Sequence, residues 1–161
     1  MTDAYLFDSH ALLAFFQREE GAAVVGEILT RSRQQNLARL ICMINLGEIV
    51  YLTKRRFGDQ KKIEVLAHIH QLGFELLPVP NSLILQTAEL KAQYPMSYAD
   101  CFALACALER SAVIVTGDHE FRAVEHLVQV LDTFHPPPTS EKRLLNLAAV
   151  LSSASCTLRA P

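Results

Sequence analysis

The chain has 161 residues, 50% hydrophobic and 20% charged, which suits one compact domain and leaves no room for two full-sized ones. This composition excludes a collagen, a coiled coil and a disordered chain, and no apolar run reaches the roughly 18 residues of a membrane-spanning helix. The formal charge of −2 hides an excess of base: if four of the 17 acids are set aside in one site, 13 remain against 15 Lys and Arg, a balance of +2. The N-terminus, with Asp3 and Asp8 and no basic leader, reads as that of a soluble cytoplasmic protein. Cys42, Cys101, Cys106 and Cys156 make no CxxC pair and have no histidine at zinc-finger spacing, so they are expected to be reduced thiols.

Ala4 to Asp8 reads as a short buried strand, and Ser9 as the N-cap of a helix carrying Leu12, Leu13 and Phe16. A second helix covers Gly21 to Gln35 and a short strand Leu40 to Met43. The helix Asn45 to Phe57 runs into Lys54, Arg55 and Arg56 and stops at Gly58. Asp59 caps a further helix through Leu72, whose face of Ile63, Leu66, Ile69 and Leu72 would pack on the body or on a second copy. Phe74 to Val79 follows as a strand. Asn81 caps a helix through Gln93, Pro95 breaks the chain, and Ser97 caps a very apolar helix through Arg110. Ala112 to Thr116 is a strand, a short helix follows Asp118, and Val128 to Leu131 closes the series. Strands that alternate with helices, with no two-residue hairpin turn, predict a three-layer α/β/α sandwich around a parallel sheet of four to five short strands. Pro136 to Pro138 ends this domain near residue 135. The extension 136–161 would hold an amphipathic helix over Ser140 to Leu151 and a disordered end.

Four acids stand out by their company. Asp8 and Asp118 each follow a predicted strand, so both belong at the carboxyl rim where open parallel sheets bind ligands. Glu48 shares a helix face with Ile44, Tyr51 and Leu52, and Asp100 shares one with Met96, Ala103, Leu104 and Ala107. A carboxylate in an apolar stripe costs several kcal/mol unless something compensates it. Each acid alone has a structural reading: Asp8 and Asp118 can cap helices, and Asp100 is the acid of a capping box with Ser97. Glu48 caps nothing. Taken together, hard oxygen donors without thiolates point to Mg²⁺ or Mn²⁺, one or two ions. Lys54, Arg55, Arg56, Lys61 and Lys62 form the densest positive run, suited to phosphate contacts or simply to a solvated helix end. His68 and His70, two apart on a helix, make a poor metal pair, and His119 reads as an exposed loop residue.

Leu6-Phe7-Asp8-Ser9-His10-Ala11-Leu12-Leu13, Asn45-Leu46-Gly47-Glu48-Ile49, Met96-Ser97-Tyr98-Ala99-Asp100-Cys101-Phe102-Ala103-Leu104-Ala105 and Val115-Thr116-Gly117-Asp118-His119-Glu120-Phe121 together resemble the four blocks of the PIN domain, nearest its VapC-type toxin ribonucleases. The resemblance runs from about residue 4 to 132 with order and spacing intact. It implies a metal-dependent endoribonuclease with Asp8, Glu48, Asp100 and Asp118 as its acids, supported by Thr116, Ser9 and Ser97, with Glu120 as a second-tier acid. It also implies RNA as substrate, a small cognate antitoxin as partner, and a homodimer. His10 is bulkier than the residue often found at that place in the family. A non-catalytic PIN-like interaction module is the alternative, though its usual sign, a missing acid, is absent here. A phosphoryl-transfer receiver or phosphatase ranks third, because neighbouring acids after the first strand and a lysine after a late strand are both lacking.

Overall fold

Strand β1 (Ala4–Phe7) sends Tyr5 and Phe7 to one face and Leu6 to the other, and all are buried, as in a central strand covered on both sides. The computed structural model describes residues 4–135 and sets β1 at the middle of a five-stranded, all-parallel sheet in the order β3-β2-β1-β4-β5. Its other strands are β2 (Ala38–Cys42), β3 (Glu75–Leu77), β4 (Val113–Thr116) and β5 (Val130–Asp132). The register places Tyr5 beside Arg39 on one side and Val113 on the other.

Helices α1 (Ser9–Gln17), α2 (Ala22–Gln34) and α3 (Met43–Gln71) bury Leu12, Ile28 and Ile49 against Phe7, Ile41 and Val115. On the other face, α4 (Asn81–Gln93) and α5 (Tyr98–Arg110) bury Leu83 and Leu104 against Leu6, Leu40 and Ile114. This is the three-layer α/β/α sandwich expected from the sequence. The small side chains Ala103, Ala105 and Ala107 are fully buried, so α5 packs close to its neighbours. Cys42, Cys101 and Cys106 are buried free thiols, and no helix among the described residues is long and apolar enough to cross a membrane. The expected extension 136–161, with its helix, lies outside the described residues.

Several local expectations shift. Asp8, not Ser9, is the N-cap of α1: Asp8 keeps extended backbone and its side chain accepts from the Ala11 amide, while Ser9 is already helical. Pro80 takes the N-cap place expected of Asn81, without a side-chain bond, whereas Ser97 caps α5 as expected. The inward stripe beyond residue 60 is Val65, Ile69 and Leu72 at i, i+4, i+7 spacing, which leaves Ile63 and Leu66 exposed.

Gly58 breaks α3 without a loop. Its φ of 86° and ψ of −176° belong to backbone that essentially only glycine adopts, and no atom lies near the place a Cβ would take. Gly58→Ala is therefore expected to cost roughly 1–3 kcal/mol through backbone strain alone. A lowered thermal midpoint with unchanged helix content by circular dichroism checks this.

Candidate active site

The chain leaves β1 for β2 and β3 on one side, then returns to β4 and β5 on the other. The order reverses between β1 and β4, so the crevice of the sheet opens at the carboxyl ends of those two strands. Asp8 directly follows β1, and Asp118 lies two residues beyond Thr116, the end of β4. Glu48 sits in the second turn of α3 and Asp100 in the first turn of α5, where the positive end of the helix dipole favours an acid.

Hydrogen bonds tie these elements into one frame. Asp8 is fully buried; its Oδ1 accepts from the Ala11 amide at 2.8 Å and its Oδ2 from the Thr116 hydroxyl at 2.5 Å. The same Thr116 oxygen accepts from the Asp118 amide at 2.9 Å, which fixes the turn after β4. Asp118 caps the short 3₁₀ helix His119–Val124 by accepting from the Glu120 amide at 2.9 Å. Glu120 in turn accepts from the Ser97 amide at 2.9 Å, and the Ser97 hydroxyl donates to Asp100 Oδ2 at 2.6 Å. The Ser9 hydroxyl donates to Glu48 Oε2.

A cleft of about 240 Å³ is lined by Ser9, Glu48, Ser97, Asp100, Asp118 and Glu120, with His10, Leu13 and Leu52 along one side. One carboxylate oxygen from each of Asp100, Asp118 and Glu120 lies within 4.8 Å of the others. Asp8 and Thr116 sit beneath this cleft rather than on its wall. Burial pushes the Asp8 carboxyl up to about 7 against the pull of its two donors, and the charges of Asp100 and Asp118 add to the rise. Burial also raises Asp100 to about 6, opposed by the Ser97 hydroxyl and reinforced by Asp118, Glu120 and Glu48. Among the described residues, no lysine or arginine lines the cleft. Four carboxylates around a small space, hard oxygen donors with no lysine or arginine beside them among the described residues, fit a hard divalent cation.

The sequence-predicted residues divide in an informative way. Asp100, Asp118, Glu48, Ser9 and Ser97 meet in the cleft, and Glu120, ranked lower by sequence, joins the tightest trio. Glu48 does not lie in a buried stripe: Ile44 and Tyr51 beside it are exposed, and α3 buries Asn45, Leu46 and Ile49 instead. The basic run is split. Lys54 and Lys62 both pair with Asp59, and Lys61 with Glu64, while Arg55 and Arg56 line a groove next to the cleft. His68 stacks on Phe16, and the exposed His119 lies 3.6 Å from Asp118. Sequence reading gave no role to Asn45, fully buried, whose side-chain amide donates to the Ala99 carbonyl at 3.3 Å and joins α3 to the start of α5. A polar residue on the inward face with Leu46 and Ile49 was the available signal.

Solved structures of toxin–antitoxin proteins share this fold. VapC20 of Mycobacterium tuberculosis, a sarcin-ricin-loop-cleaving toxin, superposes with a TM-score of 0.64 at 16% identity, covering 83% of this chain and 100% of that one. A DNA-bound VapBC complex of Salmonella typhimurium gives 0.63 at 18%, covering 83% and 99%. VapBC2 of Rickettsia felis, bound to a promoter DNA fragment, gives 0.65 at 15%, covering 80% and 98%. No curated protein matches in sequence. The family model of the PIN domain matches residues 5–127, a span that carries β1 from Tyr5 onward, β4, α5 and all five acids of the rim, and the chain belongs to the PIN domain family.

Proposed function

We propose that this chain is a metal-dependent endoribonuclease and the toxin component of a toxin–antitoxin pair. The observation that carries the reading is the meeting of Asp100, Asp118 and Glu120 in a cleft that no lysine or arginine of the described residues lines. These three would hold a divalent Mg²⁺ or Mn²⁺ ion, with Glu48 and the underlying Asp8 completing the set for one or two ions. Such an ion supplies charge neutralisation at the phosphodiester and a more acidic water. The residues around it hold the geometry. Ser97 aims Asp100, Ser9 fixes Glu48 through Oε2, and Thr116 couples Asp8 to the backbone of Asp118. Glu48 Oε1, which accepts from the Tyr51 hydroxyl at 3.5 Å, would take the proton of an attacking water.

The PIN family and a fold shared with toxin structures support RNA as substrate, and the neighbouring VapBC complexes support a small antitoxin as partner. Of the basic run, Arg55 makes no ion pair among the described residues and is the member we assign to RNA phosphates; Arg56 lines the same groove but pairs with Glu19, and Lys54, Lys61 and Lys62 pair with Asp59 or Glu64. Exposed Leu85 on α4, and Ile63 and Tyr51 on α3, are apolar side chains that a homodimer would cover. Light scattering should give twice the chain mass at micromolar concentration, and a monomer there would refute it. The alternative of a non-catalytic interaction module gains no support from the site, whose acids are all present.

The test is incubation of a mixed RNA pool with the purified chain in Mg²⁺, in Mn²⁺ and in EDTA. Cutting in either metal and its loss in EDTA is the expected result; cutting that persists in EDTA, or none in any condition, would overturn the reading.

A further inference from the structure

The cleft does not end at the acids. His10, Leu13 and Leu52 are shared with a second groove of about 490 Å³ between α1 and α3, a volume within the roughly 300–1,000 Å³ of small-ligand sites. Beyond the shared residues its wall carries Ala14, Arg55 and Arg56. Arg56 is committed to Gln17 and Glu19 of the opposite side, at 2.5 and 3.2 Å. Arg55 takes part in no ion pair among the described residues, so it is the groove's available cation. The exposed His10 ring meets Phe134 edge-on with centroids 5.9 Å apart. It lies against Gly117, where a Cβ would come within 2.8 Å of the imidazole Cε1, so the bare glycine leaves room for the ring.

From the acid cleft through the shared residues to the groove, then, come carboxylates, an imidazole with apolar neighbours, and a guanidinium without an ion pair among the described residues. A single strand of nucleic acid presents the matching alternation: a phosphate, an unstacked base with an apolar face, and the next phosphate. We infer that this groove seats the nucleotide beside the scissile phosphate of a single-stranded RNA, with His10 as stacking surface, Leu13 and Leu52 as its walls, and Arg55 on the following phosphate. The assignment rests on the nuclease reading for the position of the scissile phosphate.

The experiment measures binding of a fluorescein-labelled ten-nucleotide single-stranded RNA in Mg²⁺ by anisotropy across a salt series, using the Asp100→Asn chain as parent to keep the strand intact. Added Arg55→Ala should weaken binding about tenfold and reduce the slope of log K against log salt by about 0.7, the loss of one single-strand phosphate contact. Added His10→Ala should weaken binding about tenfold with the slope unchanged, and His10→Phe should restore it. Arg110→Ala, which removes an equal charge paired to Glu75 far along the chain, should change neither. Parental binding and slope in both groove variants would overturn the assignment. Cleavage of the RNA pool by the unmodified chain is scored in parallel. Cutting without groove dependence overturns the groove alone, groove-dependent binding without cutting overturns the nuclease reading alone, and neither result overturns both.

Discussion

Asp100→Asn and Asp118→Asn should each leave a folded chain whose RNA cleavage in Mg²⁺ falls by roughly 10³-fold or more. Each removes one charge from a trio of carboxylates whose oxygens lie within 4.8 Å and which would hold the ion, and metal-held charge stabilisation amounts to several kcal/mol, at 1.36 kcal/mol per tenfold in rate. The fold should survive because an asparagine oxygen can still accept the bonds that the structure needs. At position 100 that bond comes from the Ser97 hydroxyl, and at position 118 from the Glu120 amide. Thermal melting in EDTA establishes matched folding, and a rate within about twofold of the unmodified chain in either variant would remove that acid from the site.

Stability of the metal-free chain should fall as pH rises from about 4 to about 7, and Asp8→Asn should flatten most of that fall. Burial lifts the Asp8 carboxyl from 3.8 to about 7, so between those values the folded chain binds a proton that the unfolded chain has released. The sign follows directly: the contribution of Asp8 is most favourable below about 4, declines through the window and levels off above 7. A shift of this size corresponds to about 4 kcal/mol between the two limits. Asp100, raised to about 6, adds a smaller decline in the same direction. An amide at position 8 stays neutral at every pH, so the variant should be more stable than the parent at pH 8 in EDTA while its cleavage is lost. Chemical denaturation at pH 5 and pH 8 checks both; a parent that gains stability across this range would contradict the burial of an unpaired carboxyl at this rim.

Much of the candidate site's placement was legible because strand ends announce themselves. Asp8 and Asp118 follow runs of buried residues, and a parallel sheet brings such positions together whatever the helices do. What sequence could not weigh was competition among neighbours. Asp8 and Ser9 are both good caps, and only the extended backbone at Asp8 decides between them, which frees the Ser9 hydroxyl for Glu48, 39 residues away. Glu120 looked secondary because sequence does not reveal that the 3₁₀ turn carries its carboxylate to the Ser97 amide. Glu48 looked enclosed because Ile44 and Tyr51 share its face, yet at the rim of the sheet that face is open. The basic run looked uniform, although Asp59 and Glu64 engage three of its members and leave Arg55 facing the groove.

The central claim, that the acid rim holds the divalent ion on which RNA cutting depends, is tested most directly by calorimetric titration of Mn²⁺ into the metal-free chain, beside Asp118→Asn and Glu120→Gln. Saturable binding in the unmodified chain is expected, together with proton release at pH 6.5 as the raised carboxyls of Asp8 and Asp100 ionise, and at least tenfold weaker binding in each variant. Mn²⁺ binding of equal affinity in all three chains, or no binding to the unmodified one, would contradict it.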